Sequence, residues 1–511
     1  MSANAAVYFV DRHGAEGRGG RTAFREAAGG KRSISYGELA EATGRAAGAF
    51  ARAGIRREER AVMLVLDQLE FPVLFWGALK AGVVPVPLNT LLSSAIYGEI
   101  LRDSRASCLI VSQELYATVA PMLADAPNLR TVVVIAGDAP EGAMTYDAFM
   151  DGAESLPAVA ASADEQAFWL YSSGSTGRPK GVRHVHGSLK YTSDTYGQKV
   201  LGICADDVIF SVAKMFFAYG LGNAMTFPLA VGATTIIFNG RPTPQAVSDI
   251  LAAERPTIFC GVPTLYAATL HHWESAGAPM DTDLRVCISA GEALPAEVGR
   301  TWKQMTGVEI LDGVGSTEML HIFLSNAPGS VVYGTSGTAV PGYDLRLVDE
   351  TGSDVAPGEV GELLVNGASA ADGYWNQREK SRATFEGVWT RTGDKYERGE
   401  DGRYVYCGRT DDMFKVSGIW VSPFEVEQAL ISHPSVLEAA VVAARDDDDL
   451  EKPKAFVVLK GEAGATDLDE IRDFVKESIG MWKYPRWIEV IDELPKTATG
   501  KIQRFKLREA S

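Results

Sequence analysis

At 511 residues, with 46% hydrophobic and 23% charged side chains, the chain has the make-up of a multidomain globular protein, not of a disordered or fibrous one. Its 49 Lys and Arg against 66 Asp and Glu leave a net charge of −17, which disfavours non-specific binding to nucleic acid or anionic membranes, so an anionic ligand needs a local site. The five cysteines (Cys108, Cys204, Cys260, Cys287, Cys407) are odd in number and never spaced as C-x-x-C, which predicts neither a disulfide framework nor a thiolate zinc site and fits a reducing cytoplasm.

Residues 62–66 read as a strand and 72–81 as an apolar helix leading into a second strand. The longest apolar stretch, 71–79, is cut by Lys80, and Asp11, Arg12 and His13 precede any apolar run long enough for a signal peptide, so no membrane span and no export are expected. Between 168 and 312, β-branched or aromatic runs at 168–171, 208–212, 234–238, 257–262, 285–289 and 308–311 read as strands. Residues 263–273 and 295–305 between them look helical, each with proline at the first-turn position. That alternation predicts an α/β fold with a largely parallel sheet. After about Gly408 the texture changes: 437–443, 455–459 and 487–491 read as strands and 468–479 as an amphipathic helix, a small α+β domain. The expected division is a large domain over 1–410 and a small mobile one over 411–511. The acidic run from Asp446 to Asp449 reads as a solvated loop, not a metal site.

The strongest chemical signal is the stretch from Tyr171 to Gly181, which places three glycines, four Ser or Thr hydroxyls and two cations in eleven residues directly after an apolar strand. Such a loop can present backbone N–H groups, hydroxyls and a lysine to polyphosphate oxygens. It is not a Walker loop: the lysine spacing differs, and residues 182–186 alternate like a strand where a helix would have to open.

With this loop the chain resembles the adenylate-forming superfamily of acyl-CoA ligases, firefly luciferase and peptide-synthetase adenylation domains, and the resemblance covers essentially its whole length. Ser172 to Gly181 is similar to the signature phosphate loop, and Val314-Gly-Ser-Thr-Glu318 to the second motif. Thr392-Gly393-Asp394 matches the third motif, Gly408-Arg409-Thr410-Asp411-Asp412 with Lys415 and Gly418 the fourth, and Pro495 to Lys501 the last. The resemblance implies that ATP is held by Ser172, Ser173, Gly174, Ser175, Thr176, Gly177 and Lys180, with Gly291, Glu292, Asp312 and Gly313 beside the adenylate. It further implies Thr317 as a phosphate hydroxyl, Glu318 as the Mg²⁺ ligand, Asp394 on the ribose hydroxyls and Arg409 gripping the ribose. Lys501 would be the lysine that reaches the carboxylate and α-phosphate during adenylation, and Asp411 the hinge of the small domain. Gly418, Trp482 and Lys483 would lie near coenzyme A.

Substrate class is carried by Lys214 to Asn223 and by Met319 to Asn326, where bulky aromatics alternate with Gly and Ala as suits a short, flat, apolar pocket that excludes long alkyl chains. These strings resemble benzoate-CoA ligases and their 4-hydroxybenzoate relatives, which implies an aryl pocket lined by Phe217, Ala218, Tyr219, Ala290, Gly315, Leu320 and His321. Many acyl-CoA ligases carry a histidine three residues before the glycine numbered 220 here; this chain has Phe217, the pattern of the benzoate group. The expectation is a cytoplasmic, ATP-dependent aryl-CoA ligase acting on a small aromatic carboxylate. A 4-hydroxybenzoate-CoA ligase and an aryl-AMP ligase loading a carrier protein stay open, as do the ring substituents and the oligomeric state, a homodimer among the options. A non-catalytic adenylate-binding module on the same fold is the rival of another class, opposed by the joint presence of Glu318, Asp394, Arg409 and Lys501. A serine hydrolase is disfavoured by the lack of a G-x-S-x-G elbow.

Overall fold

One apolar helix, Glu70–Ala81, organises the large part of the molecule. Every residue from Phe71 to Lys80 in it is buried, as expected of a helix that is hydrophobic all round. The computed structural model, which describes residues 3–27, 32–173, 179–276, 281–410, 412–416, 419–446, 450–460, 467–480, 483–496 and 502–509, sets this helix in one core with residues of two sheets. The first is a five-stranded parallel sheet in the spatial order Val84–Pro87, Arg60–Leu64, Cys108–Ser112, Thr131–Ile135, Met144–Thr145. In the second, parallel strands lie in the order Ile310–Gly315, Val286–Ser289, Ile258–Gly261, Val208–Ser211, Thr234–Ile237, Thr22–Glu26, extended by antiparallel edges. Phe75, Trp76, Met63, Phe24 and Leu320 meet in that shared core, together with Phe168 from a third sheet. Lys80 ends the apolar run by turning its ammonium to the Ala40 carbonyl at 3.1 Å and to Asp11 at 2.5 Å.

The predicted parallel α/β architecture therefore stands, with specific differences. Residues 168–171 belong to another sheet: Gln166–Ser173 pairs antiparallel with Pro179–Val185, which pairs with Gly373–Tyr374. The reason is length, because the five residues 174–178 can close a hairpin but cannot make a parallel crossover. The strand expected at 308–311 runs instead from Ile310 to Gly315, because Gly307 ends the preceding helix at φ +76° and the Val308 N–H is taken by Thr306 Oγ1 at 3.1 Å. Pro295 caps the helix Ala296–Thr306 from outside its first turn. The helix Tyr36–Arg52, opened by a reciprocal Ser35–Glu38 capping box, and the antiparallel sheet built from Asp344–Val348, Val360–Asn366, Trp389–Arg398 and Tyr404–Arg409 had no counterpart in the expected elements.

Beyond Phe414 a separate core forms from Val421, Val426, Leu430, Val441, Val457, Ile471 and Val475. Its sheet pairs Val436–Arg445 antiparallel with Glu451–Leu459, and the latter parallel with Trp487–Val490, while Leu468–Ile479 is the expected amphipathic helix. Within the acidic run, Asp446 accepts from the Leu450 N–H at 3.0 Å, closing a turn, and residues 447–449 lie outside the described residues. All five cysteines are free thiols. No helix among the described residues is long and apolar enough to cross a membrane.

Candidate active site

The phosphate-loop segment is the tip of a hairpin. Ser172 pairs in register with Lys180 and Ser173 with Pro179; Gly174, Ser175, Thr176 and Gly177, and the side chain of Ser173, lie outside the described residues. At the hairpin's base the Ser172 hydroxyl is buried with no hydrogen-bond partner among the described residues, a donor kept in reserve at the mouth of the loop. Lys180 donates to Glu318 Oε1 at 2.8 Å and to the Tyr374 hydroxyl at 3.0 Å, and Tyr374 in turn donates to the same Glu318 oxygen at 2.8 Å. Burial works against both charges. Even so, the carboxylate raises the Lys180 pKa above the ordinary lysine value, and Lys180, with Tyr374, holds Glu318 below the usual carboxylate range. A lysine and a hard carboxylate thus neutralise each other directly beside the hairpin. Phosphate oxygens can take over the lysine and a divalent cation the carboxylate.

Glu318 stands on a tight turn that leaves the strand Ile310–Gly315. His184 lies buried against Phe168, ring centroids 5.0 Å apart, and its Nε2–H donates to the Thr317 carbonyl at 2.9 Å. Burial lowers the His184 pKa to about 4, so the ring is neutral near pH 7. The Glu318 carbonyl accepts from the Ala371 N–H at 2.8 Å, and the Ser316 hydroxyl accepts from Met319 N–H at 3.1 Å. The turn closes on Leu320 at φ +66°, left-handed backbone that a bulky residue adopts only when its surroundings force it. That conformation throws His321 inward.

His321 is 2% exposed and boxed by aromatic rings: Phe227 at 4.5 Å, Tyr196 at 5.3 Å and Tyr219 at 5.8 Å between centroids. Tyr196 comes from the π-helical turn Ser193–Val200, and Phe227 directly follows a second one, Gly222–Thr226, whose i→i−5 bonds widen the helix where the box forms. Gly222 sits against the imidazole so closely that a Cβ there would lie 2.3 Å from His321 Cδ2. His321 Nε2 meets the Tyr219 carbonyl at 3.3 Å; a carbonyl only accepts, so Nε2 carries the proton and Nδ1 is a bare acceptor. Nδ1 is buried with no partner among the described residues, and burial lowers the His321 pKa to about 3. The Tyr219 hydroxyl spends its one proton on the carbonyls of Gly261 at 3.2 Å and Ile288 at 3.1 Å, which leaves it only acceptor capacity. Phe217 packs at a tilt against Phe216, ring centroids 4.3 Å apart, and Ala218, half-buried, opens the helix that carries Tyr219.

The remaining candidates lie around these two clusters. Ala290 is buried and Gly291 exposed just after the strand Val286–Ser289; Asp312 and Gly313 are buried in the neighbouring strand, and Gly315 ends it. Asp312 accepts from the Leu294 N–H at 3.3 Å, and burial raises its pKa well above the usual carboxylate value. Asp394 and Arg409 are cross-strand partners, with Arg409 Nη1 donating to Asp394 Oδ1 at 2.8 Å. Glu292 Oε1 accepts from the backbone N–H of Ile502 at 3.3 Å, which brings the last segment of the small domain against the large one. Lys501 itself lies outside the described residues, as do Asp411, Gly418 and Trp482. Lys483 stays within the small domain, bonded to both Glu425 oxygens at 2.7 Å.

Four contributors were absent from the sequence reading: Tyr374 on the Lys180–Glu318 pair, His184 under Thr317, and Tyr196 and Phe227 around His321. A signal existed for Phe227, which follows Tyr219 at two helical turns. None existed for Tyr374, which lies 194 residues from Lys180.

Residues 11–375 match the AMP-binding enzyme family and residues 425–501 the AMP-binding enzyme C-terminal domain. The 4-hydroxybenzoate–CoA/benzoate–CoA ligase of Rhodopseudomonas palustris is 53% identical, the match covering 99% of this chain and 94% of the relative. The benzoate–CoA ligase of Thauera aromatica is 52% identical over 99% of this chain and 96% of its own length. The crystal structure of a benzoate CoA ligase from Burkholderia xenovorans superimposes with a TM-score of 0.91 at 49% identity, covering 99% of each chain. With the hairpin loop, the Lys180–Glu318 pair and the aromatic box arranged as they are, the chain belongs to the AMP-binding, adenylate-forming enzyme family and, within it, to the group of benzoate–CoA and 4-hydroxybenzoate–CoA ligases.

Proposed function

We propose that this chain converts benzoate, or a small ring-substituted benzoate, to its CoA thioester through an aryl-adenylate. The observation that carries the reading is the adjacency of two unlike sites on one turn, the Lys180–Glu318 charge pair and, three residues on, His321 in its aromatic box. A carboxylate oxygen attacks the ATP α-phosphorus and pyrophosphate leaves; the CoA sulfur then attacks the acyl carbon, AMP leaves and the thiol proton passes to water. Lys180 and the hairpin loop hold phosphate oxygens, Asp394 and Arg409 the ribose, and Lys501 neutralises the charge that develops between carboxylate and α-phosphate. The small domain, hinged at Asp411 between 1–410 and 411–511, turns between the half-reactions and presents Gly418, Trp482 and Lys483 to CoA. Glu318 fits Mg²⁺, a hard cation that takes few protein ligands beside substrate phosphates and would neutralise pyrophosphate as it leaves. A cytoplasmic location fits the free thiols.

Benzoate is placed ahead of 4-hydroxybenzoate because the string from Met319 to Asn326 looks more like that of benzoate ligases. The bare Nδ1 of His321 favours a second reading in which a ring hydroxyl is also accepted. In that case the hydroxyl donates to His321, since the Tyr219 proton is already committed. A pyrophosphate-release assay over a carboxylate panel tests the class. Benzoate or a hydroxybenzoate is expected to exceed octanoate at least 10²-fold in kcat/KM, and octanoate exceeding every benzoate overturns it. An apolar pocket separates benzoate from 4-hydroxybenzoate only about 10²-fold, so exclusive use of 4-hydroxybenzoate would mean a site built to bind the hydroxyl. Stimulation of AMP release by free CoA distinguishes thioester formation on CoA from loading of a carrier protein.

Gly222 offers a direct probe of the box. Gly222→Ala must displace the imidazole, because its Cβ would fall 2.3 Å from Cδ2 and 2.6 Å from Nε2 of His321. A displacement of about 1 Å near the substrate is expected to lower kcat/KM for benzoate about 10²-fold. Overpacking should also cost about 1–3 kcal/mol of stability by urea unfolding. Unchanged kinetics would remove His321 from the pocket.

A further inference from the structure

The small domain contains a charge network that the family reading leaves without a task. Arg504 opens the short helix Arg504–Glu509, three residues after Lys501. Its guanidinium grips Glu427 with Nε at 3.1 Å from Oε1 and Nη2 at 2.9 and 2.7 Å from Oε1 and Oε2. Glu427 is 4% exposed and also accepts the Val441 N–H at 2.8 Å, so one carboxylate ties the helix Pro423–Ile431, the strand Val436–Arg445 and Arg504 together. The free arm of Arg504, Nη1, reaches Asp412 Oδ2 at 3.7 Å, and Arg508, one turn along the same helix, bonds the other oxygen of Asp412. Asp412 follows the hinge residue Asp411 directly. Its own N–H, with that of Met413, bonds back to the Arg409 carbonyl at 3.0 Å.

The base of the Lys501 loop is clamped from the other side. Lys496 bridges to Ile502, the Gln503 N–H donates to the Pro495 carbonyl at 2.8 Å, and Lys496 holds Glu438 at 2.6 Å. Leu507 packs with Leu494, Ala440, Val442 and Phe456 in a small cluster of its own. The two residues that flank the Lys501 segment, Lys496 and Ile502, are therefore fixed to the body of the small domain, and Arg504 links that body to the residue just past the pivot.

We infer that Arg504 is a positioning residue for the first half-reaction: by bridging Glu427 and Asp412 it makes a stiff arm that carries rotation at the hinge to the Lys501 loop. An arm is needed because Lys501 and the pivot are ninety residues apart in sequence, and a lysine placed about 1 Å off its target loses much of its effect. The planar, two-edged guanidinium suits the task, whereas an ammonium can hold only one of the two carboxylates in the same geometry. The inference rests on the proposed roles of Lys501 and Asp411, and the experiment separates the two.

Adenylation is read by benzoate-dependent ATP–pyrophosphate exchange, and thioester formation by single-turnover conversion of supplied benzoyl-adenylate to benzoyl-CoA, both on the full chain. Arg504→Ala would strand a buried Glu427, so the milder Arg504→Lys and Asp412→Asn are used, with Lys501→Ala as reference. Each mild variant is expected to lose about 10-fold or more in exchange and less than about 3-fold in thioester formation. The double variant should fall no further than Arg504→Lys alone, because both changes cut one link. If exchange is unchanged, or if both half-reactions fall together with the unfolding midpoint, Arg504 is merely structural and the inference is overturned. If Lys501→Ala itself shows no selective loss of exchange, the reading of Lys501 fails first.

Discussion

Lys501→Ala is expected to slow aryl-adenylate formation by about 10² to 10³ while leaving the conversion of supplied benzoyl-adenylate to benzoyl-CoA nearly intact. That scale is the loss of one preorganised charge at the point where negative charge gathers between the attacking carboxylate and the α-phosphate. The second half-reaction has no such charge build-up at that point. A CoA thiol, with an ordinary pKa near about 8.5, supplies enough thiolate to attack so activated an acyl group. The neighbour of Lys501 in the structure, Ile502, already contacts Glu292 beside the Ala290–Gly291 segment, an arrangement suited to the adenylating position of the small domain. Rapid-quench measurement of the two half-reactions decides the matter, and an equal loss in both would end the assignment.

Glu318→Ala is expected to have the second largest effect, and in two quantities at once. The variant leaves the Lys180 ammonium, whose side chain is 19% exposed, facing Tyr374 with no counter-charge. Breaking a buried pair costs roughly 3–5 kcal/mol, and partial access to water places this one near the lower end. Pyrophosphate exchange should fall by about 10² or more, because the hard oxygen that fits the cation is gone. Glu318→Gln separates the effects: an amide oxygen still accepts from Lys180 and Tyr374, so urea unfolding should recover much of the lost stability while exchange stays low. Full exchange activity in the glutamine variant would reduce Glu318 to a structural partner of Lys180.

The sequence was most informative where chemistry is local. The loop composition from Tyr171 to Gly181 stands out within eleven residues, while the Thr-Glu pair at 317–318 and the Gly-Asp turn at 393–394 gain their meaning from their place in the order of the family's motifs. The parallel strands between 208 and 289 were legible locally as well, each being a short β-branched run flanked by turn residues. Errors arose where a segment's partner decided its place. Residues 168–171 read correctly as a strand and wrongly as part of the parallel sheet, since pairing depends on what can be reached across residues 174–178. In sequence, Tyr219 carries a hydroxyl able to bond the hydroxyl of a substrate ring. Only the folded chain shows that its proton goes to Gly261 and Ile288, carbonyls from two strands 27 residues apart.

By itself, then, the sequence determined the α/β class and the composition of the phosphate loop, because those properties reside in neighbouring residues and their periodicity, while the family was legible as a resemblance carried by five motifs in order along the chain. The tertiary structure alone decided that Tyr374 shares Glu318 with Lys180, that Leu320 takes a left-handed backbone to turn His321 inward, and that Tyr196 and Phe227 close around it. Those are long-range outcomes of packing. Burial forces each polar group to find whichever partner the fold brings within about 3 Å, and no local pattern encodes which one that will be.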